Sequence, residues 1–486
     1  LQSHTSATKS LEELLQGVAY THLAGPSRVK ICEITFDSRT VKPNGLFVAI
    51  SGSKADGHQF IGAAIERGAV AIVGERTDLS LPSSVAFVTV ENSRRALAEL
   101  ASSFYAAPTR DLFTVGITGT NGKTSITFLS QSVLGAAKTA ISNTVINALH
   151  YGIDYTTPNA LDLQRFAHQA RVEHRENCVI EVSAHALSQE RVHGIDFDVA
   201  VFTNLTQDHF DYYSGFELYL KAKRKLFESL GEEARALINA DDPYAEHFLK
   251  NTRARVWTYG LNSNCDLWAD QLALSAEGNR FVAHTPGGNL PICSALPGEF
   301  YVYNTLAAIG VGLSKGISLA QIKEGIEKVS FIEGRFERYK TKNGAALVID
   351  FAHSPDSLEK MIKTLKKLYP RVLTVFGCGG ESDPYKRPIM GEISGRLSDF
   401  TLITSDNPKH EDPEEIVREI EEGIRKTDGP YEAIIDRPIA ILRALEIAKP
   451  GDCVLIAGKG HERTQVFKGR EIAFNDREFL LARGLI

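Results

Sequence analysis

The run Gly116-Ile117-Thr118-Gly119-Thr120-Asn121-Gly122-Lys123-Thr124-Ser125 follows an apolar strand-like stretch, opens a helical one, and holds what a triphosphate needs. Glycines let backbone N–H groups approach phosphate oxygens, a helix N-terminus attracts anions, and a lysine neutralises charge. Gly119, Thr120, Asn121, Gly122, Lys123, Thr124 and Ser125 are the expected phosphate contacts, and the Thr124 hydroxyl is the expected magnesium ligand. The run departs from the strict Walker pattern, because Ile117 stands where the first glycine of GxxxxGK[ST] belongs. The plain alternative is a glycine-rich strand-to-helix turn with no ligand.

Two further polar stations close expected strands: Glu181-Val182-Ser183-Ala184-His185 and Thr203-Asn204-Leu205-Thr206-Gln207-Asp208-His209. Ligands of open α/β sheets bind at the carboxyl ends of strands, so both stations can face the phosphate loop. Glu181 is a hard oxygen ligand suited to magnesium, and His209 is a candidate at a second ion. Taken alone, each has a plainer explanation: a solvated or capping carboxylate, and a structural histidine. Their joint placement after a phosphate loop favours the site. Lys221-Ala222-Lys223-Arg224-Lys225 shares a helix with Tyr219, Leu220, Leu226 and Phe227 and reads as a solvated basic face. Nothing in composition or spacing separates one of these lysines from the rest. Farther on, Asp350-Phe351-Ala352-His353, Gly377-Cys378-Gly379-Gly380, Asp406-Asn407-Pro408-Lys409 and Gly458-Lys459-Gly460-His461-Glu462 each follow a strand. Each by itself reads as a tight turn. Together they should form one polar rim, a substrate-binding surface across a cleft from the phosphate loop.

Strands and helices must alternate to hold these groups. Ile31 to Phe36, Leu46 to Ala49 and Ala69 to Val73 are β-rich runs around a helical Phe60 to Arg67, a small α/β unit. Ala106-Ala107-Pro108-Thr109 ends a helix at a proline and sets the first boundary, giving a unit over 1–108. Phe113 to Ile117, Val179 to Val182 and Val199 to Thr203 alternate with helical stretches, as in a mostly parallel sheet covered by helices. That second unit spans 109–338 and closes after Glu333-Gly334-Arg335-Phe336. Beyond it, over 339–486, Ala346 to Ile349, Val372 to Phe376, Phe400 to Thr404 and Cys453 to Ile456 are strands of a third, doubly wound unit. In that unit Ser354 caps a helix with Pro355 at its first position, and Leu358, Met361, Ile362, Leu365 and Leu368 form one apolar face.

Length and composition agree. At 486 residues the chain exceeds what one core supports, and 43% apolar with 23% charged residues is ordinary for a globular protein. A net charge of −6 with interspersed signs gives no footprint for nucleic acid or an anionic membrane. The six cysteines are scattered without a CxxC, as for reduced thiols. No apolar run spans a bilayer, and the opening residues lack the regions of a signal peptide, so a cytoplasmic protein is expected; the expected state, which none of these features fixes, is a monomer.

Taken in order, TGTNGKT at 118–124, TTP at 156–158, EVSAHAL at 181–187, DH at 208–209, EGRF at 333–336, DFAHSP at 350–355, DNPK at 406–409 and GKGHE at 458–462 resemble the Mur ligases. The resemblance covers nearly the whole chain and is closest to the members that make the muramoyl tripeptide of peptidoglycan. It implies a three-domain α/β architecture with a central P-loop ATPase-like parallel sheet and a C-terminal Rossmann-like domain. The sugar nucleotide, ATP and the amino acid would occupy the first, second and third domains. It implies that ATP phosphorylates the glutamyl carboxylate of UDP-N-acetylmuramoyl-alanyl-glutamate, and that the amine of a diamino acid then displaces phosphate.

By the same resemblance Lys123, Glu181, His209 and Lys223 are catalytic. Thr124, Glu181, His209 and Lys223 serve the metals, Lys223 as a carbamate. Asn304, Arg335 and Asp350 add nucleotide contacts. Ser38, Ser53, Lys54 and Ala55 match the uridine-nucleotide site, and Thr156, Thr157, Ser183, Gln189 and Arg191 grip the acceptor. Ser382, Asp406, Asn407, Lys409, Gly458 and Glu462 fall at the amino-acid pocket. Three positions depart from the family: Tyr301 replaces the first asparagine of FNxxN, Ser382 replaces an arginine, and Lys409 replaces the arginine of DNPR. Diaminopimelate ends in an ammonium and a carboxylate and so needs a cation at the far end of its pocket, which Lys409 offers. Lysine as the added amino acid, a ligase like the folylpolyglutamate synthetases, and a nucleotide-binding scaffold without catalysis are the alternatives.

Overall fold

Alternating strands and helices build three parallel-rich sheets in the computed structural model, which describes residues 8–52, 55–77, 81–153, 155–206, 213 and 215–486. The first sheet orders His22–Ala24, Ala86–Thr89, Ala69–Gly74, Gly45–Val48 and Glu33–Thr35, and the first of these pairs antiparallel. The expected strand from Ile31 to Phe36 is divided. Lys30–Ile31 pairs with Lys9–Ser10, whereas Glu33–Thr35 pairs with Gly45–Val48, so the chain changes partner at Cys32. Separate cores cover the two faces of this sheet, one around Leu97 and Leu100 and one around Phe47 and Ile61.

In the central sheet Phe113–Thr118 lies between Asn177–Glu181 and Val199–Phe202, with Thr139–Ser142 outside the former and Arg235–Asn239 outside the latter. The chain runs from Phe113–Thr118 outward to one edge, back, and across to the other side. The phosphate-loop strand therefore sits where the strand order reverses, the place where open sheets leave a crevice beyond their carboxyl ends. Strands Leu267–Ser275, Gly278–Thr285 and Gly288–Ser294 extend the far side, the last two in antiparallel register. Apolar residues of successive strands point alternately to two buried faces, which suits a sheet wrapped by helices on both sides.

The third sheet orders Glu337–Lys340, Ala346–Asp350, Cys453–Ala457, Val372–Phe376, Phe400–Ile403 and Tyr431–Ala433, parallel except at its first strand. Because Glu337 pairs with Ile349, this sheet begins slightly ahead of the boundary expected after 338. Ser354 caps Pro355–Leu368 through a capping box, and Leu358, Met361, Ile362 and Leu365 are buried as the periodicity predicts. Their core continues into Leu129, Tyr301 and Ala308 of the central unit, which joins the two sheets through apolar contact. Among the described residues no helix is long and apolar enough to cross a membrane.

Candidate active site

The phosphate loop fits between two strand ends only because it lacks side chains at two points. Gly119 has φ +150°, and a Cβ there would lie 1.8 Å from the Thr203 hydroxyl; Gly122 has φ +88°, and a Cβ there would lie 2.6 Å from Asn304 Oδ1. The loop is tied to its neighbours by backbone N–H donation from Thr120 to Asn204 O at 2.9 Å and from Asn121 to Asn204 Oδ1 at 2.9 Å. Helix Lys123–Leu134 then starts directly beneath it.

Glu181 is the electrostatic centre of this end. Its residue is 2% exposed, and its carboxylate accepts from the Thr124 hydroxyl at 2.9 Å and from Thr144 N and Oγ1 at 3.2 and 3.3 Å. Lys123 Nζ lies 3.9 Å from the same carboxylate and donates to Thr120 O at 2.8 Å and Gly119 O at 3.1 Å. Lys223 is buried and donates to Gly119 O at 2.7 Å, with its Nζ 4.6 Å from the centre of the Tyr219 ring. The solvated-face reading of this helix therefore fails at Lys223 and holds at the exposed Lys221. A hydroxyl and a buried carboxylate facing a phosphate loop are the hard oxygen donors that magnesium takes. Among the described residues no group of three His, Cys, Asp or Glu forms a metal cluster. His209, like Asp208 and Gln207, lies outside the described residues.

The third unit reaches this site through the linker Glu333-Gly334-Arg335-Phe336 that leads into it. Arg335 donates to Thr124 Oγ1 at 3.1 Å and stacks over Phe351, with its guanidinium carbon 4.6 Å from the ring centre. Asp350 accepts from Phe336 N and Ala352 N, both at 2.8 Å, and burial pushes its carboxyl up to about 6 despite the opposing charge of Arg335. Asn121 Nδ2 donates to Asp356 Oδ2 at 2.6 Å across the two units. The linker packs on the Gly458–Glu462 turn without a gap: a Cβ on Gly334 would lie 2.5 Å from His461 N, and one on Gly460 would lie 2.9 Å from Gly334 O. Burial pushes the His461 imidazole down to about 3, so it stands there neutral.

A cavity of about 1390 Å³ runs from the phosphate loop to the third sheet. Thr120 to Ser125, Thr156, Glu181, Asn304, Arg335, Asp350, Asn407, Lys409 and Glu462 all line it. The polar rim forms in part, since Gly377 to Gly380 and Ser382, Asp406 and Gly458 are absent from the lining. Ser382 instead donates to Gly379 O at 2.9 Å. Tyr301 is buried, with its hydroxyl 3.4 Å from Arg335 O, so the departure at this position packs under the linker.

A second cavity of about 770 Å³ lies between the first and central units, lined by Ser38, Ala55, Gln189 and Arg191 together with Arg39, Arg67 and Arg94. Ser53 and Lys54 fall outside the described residues. Thr157 lines neither cavity; its buried hydroxyl donates to Glu181 O at 2.8 Å and accepts from Ser183 N at 2.9 Å. Arg191 caps the arrangement by donating to Thr157 O at 2.7 Å. Ser183 caps the short helix Ala184–Ser188.

Sequence reasoning missed Thr144, although Asn143 and Thr144 follow strand Thr139–Ser142 as Glu181 ends its own strand, so the same strand-end rule reaches it. It also missed Asp356, whose position at the start of a helix gave no hint of a partner on another sheet.

Three family models match in order: "Mur ligase family, catalytic domain" over 30–105, "Mur ligase middle domain" over 117–312, and "Mur ligase, glutamate ligase domain" over 334–460. The UDP-N-acetylmuramoyl-L-alanyl-D-glutamate–2,6-diaminopimelate ligase of Syntrophomonas wolfei is 42% identical over 477 residues, 96% of this chain and 97% of that protein. The protein of the same name from Geobacillus thermodenitrificans is 44% identical over 459 residues, 92% of this chain and 93% of its own. A solved structure of a ligase of that name is 30% identical, with a TM-score of 0.69 over 98% of this chain and 100% of the other.

Proposed function

The chain belongs to the Mur ligase family, ATP-dependent ligases with an α/β fold, and on that premise we propose that it adds meso-diaminopimelate to UDP-N-acetylmuramoyl-L-alanyl-D-glutamate during peptidoglycan synthesis. One observation carries the reading: a single cavity joins Lys123, Thr124, Glu181 and Arg335 to Asn407, Lys409 and Glu462. A phosphoryl-transfer site and an amine pocket must share one space if an acyl phosphate made at one end is to meet an amine held at the other.

The terminal phosphoryl group of ATP passes to an oxygen of the glutamyl carboxylate, and ADP leaves. The nitrogen of the incoming amine, having lost a proton, bonds to the acyl carbon. The tetrahedral intermediate then expels phosphate and leaves the amide. Lys123 and Arg335 line the same cavity and would offset charge on the transferring group with cations already in place. Asn304 and Asp350 take the nucleoside, and the backbone of 119–125 takes the phosphates. Magnesium, when bound, would neutralise phosphate charge; Thr124 and Glu181 would hold it, and by the family resemblance His209 would serve a second ion. Lys223 would join the second ion as a carbamate.

The uridine nucleotide occupies the arginine-rich cavity beside Ser38 and Ala55, and by the family resemblance Ser53 and Lys54 contact it too. Gln189, Arg191, Thr156 and Ser183 hold the muramoyl dipeptide between the two cavities, and Thr157 supports them from below. We assign residues 1–108, 109–338 and 339–486 to sugar nucleotide, ATP and amino acid, in a monomer working in the cytoplasm where ATP and the sugar nucleotide are made. The test is ADP release in the presence of magnesium. Release that requires both the muramoyl dipeptide and diaminopimelate supports the reading. Preference for lysine or ornithine refutes the amino acid alone, and ATP binding without turnover refutes the ligase.

A further inference from the structure

Lys459 is wholly buried, although it lies in the middle of a turn that faces the cavity. Its Nζ donates to Asn407 Oδ1 at 3.1 Å, to Glu462 Oε2 at 2.8 Å and to Thr464 O at 2.7 Å. An ammonium has three protons. Each has an acceptor here, so none remains for a ligand.

The acceptors are themselves parts of the amino-acid pocket. Asn407 is fixed in one amide orientation, because its oxygen accepts from Lys459 and from Val466 N at 3.2 Å, while its nitrogen donates to Glu462 Oε2 at 2.7 Å. Glu462 thereby has one oxygen held by Lys459 and Asn407. Asp406, on the loop after Phe400–Ile403, stands with Oδ1 3.8 Å from the same ammonium. Lys409 is tied to the same frame through its backbone N–H, which donates to Val466 O at 2.9 Å. The neighbouring buried charges cancel: Arg437, from helix Arg437–Ile447, donates twice to Asp476 at 2.8 Å and once to Ala457 O at 3.0 Å. With Lys409 left to the distal carboxylate, what remains around Lys459 is two carboxylates and one ammonium, a net charge of −1 that one ammonium group of a ligand would neutralise.

We propose that Lys459 is a positioning residue that fixes both the geometry and the net charge of the amino-acid pocket, so that the pocket takes a single ammonium group of the incoming diamino acid. The inference rests on the functional reading above, which puts the amino acid against Asn407, Lys409 and Glu462. Without Lys459 two carboxylates would face each other with no cation between them, and one would hold its proton toward neutral pH. Burial and Asp406 already push the Glu462 carboxyl up, and Lys459 and Asn407 pull it back.

The experiment compares wild type, Lys459→Met and the double variant Lys459→Met/Glu462→Gln in ADP release over pH 5.5–9, with melting curves for each. Lys459→Met should raise KM for diaminopimelate by about 10-fold or more and leave KM for ATP within about twofold. The acid limb of its kcat/KM profile for the amino acid should move up by about one pH unit or more. The double variant, with one carboxylate removed, should lose that upward shift of the limb and melt above Lys459→Met. If Lys459→Met does not fold, the double variant alone decides, since the proposal requires it to fold and to keep the wild-type limb. An unmoved limb in Lys459→Met, equal increases in all three KM values, or a double variant no more stable than the single one overturns the proposal. Wild-type enzyme that turns over no diamino acid overturns the functional reading, and this inference with it.

Discussion

Two buried lysines mark the two ends of the cavity, and they are held in opposite ways. Lys459 sits among a carboxylate, an amide oxygen and a carbonyl, whereas Lys223 lies over the Tyr219 ring and shares the Gly119 carbonyl with a second lysine. Burial of a charge is tolerated when hydrogen-bonding partners of opposite sign surround it. The amino-acid end meets that condition with its own side chains. At the phosphate end Lys123 stands 3.9 Å from the buried Glu181 carboxylate, and both lysines gather on the Gly119 carbonyl at a loop suited to anions.

The largest test of this contrast is Lys123→Ala. Its lysine contributes charge to a ligand and little to any core, so ligation should fall by about 10²-fold or more while the melting temperature stays near wild type. Turnover close to normal would break the comparison at its phosphate end. Lys223→Ala comes next: ADP release should fall by about 10²-fold, and a small carboxylic acid that can stand for the carbamate should restore part of it. Full activity with no response to such acids would return Lys223 to a packing role.

At the other end Lys409→Ala should lower kcat/KM for diaminopimelate by about 10- to 100-fold and leave use of lysine unchanged or improved, as expected for loss of one charge-assisted hydrogen bond. An equal loss for both amino acids would show that Lys409 does not read the distal carboxylate. The last effect is read on stability and not on turnover, and it concerns Asp350. Its folded value of about 6 lies above the ordinary 3.8, so folding favours the protonated form and stability falls as pH rises through that window. Wild type should therefore lose stability relative to Asp350→Asn between pH 4 and pH 7, by about 3 kcal/mol at most. Paired melting curves at the two pH values give the difference, and a gap that widens in the other direction would contradict the sign.

The phosphate end was legible because its groups are contiguous. Of the seven residues from Gly119 to Ser125 six line the cavity, and the rule that strand ends bear ligands reaches Glu181, which lines it too. Lys223 was also within reach. Tyr219, Leu220, Leu226 and Phe227 set the apolar face of helix Phe216–Glu228, and Lys223 falls on that face at helical spacing, whereas Lys221 does not. Phase on the helix separates lysines that composition cannot.

The amino-acid end was harder, since its residues come from separate loops and their roles depend on which side chains turn inward. Ser382 bonds to its own loop, Thr157 is spent beneath Glu181, and Lys459 is buried within a run that reads as a polar rim. The break at Cys32 had a similar origin, because pairing with Lys9–Ser10 depends on a distant segment and not on local propensity.

The contact between Gly334, Gly460 and His461 bears on wasted ATP. Phe351 N also donates to Gly334 O at 3.0 Å, so the linker, the turn and the end of the first parallel strand of the third sheet form one block. That block carries Arg335 at one end and Glu462 at the other. Any rotation of the third unit would carry both together, like the two arms of a lever. On the roles proposed above, the arginine of the phosphoryl clamp would then arrive in the same stroke as the wall of the amine pocket, so that an activated acyl group would meet a seat already built for its nucleophile and water would have a shorter interval in which to intervene.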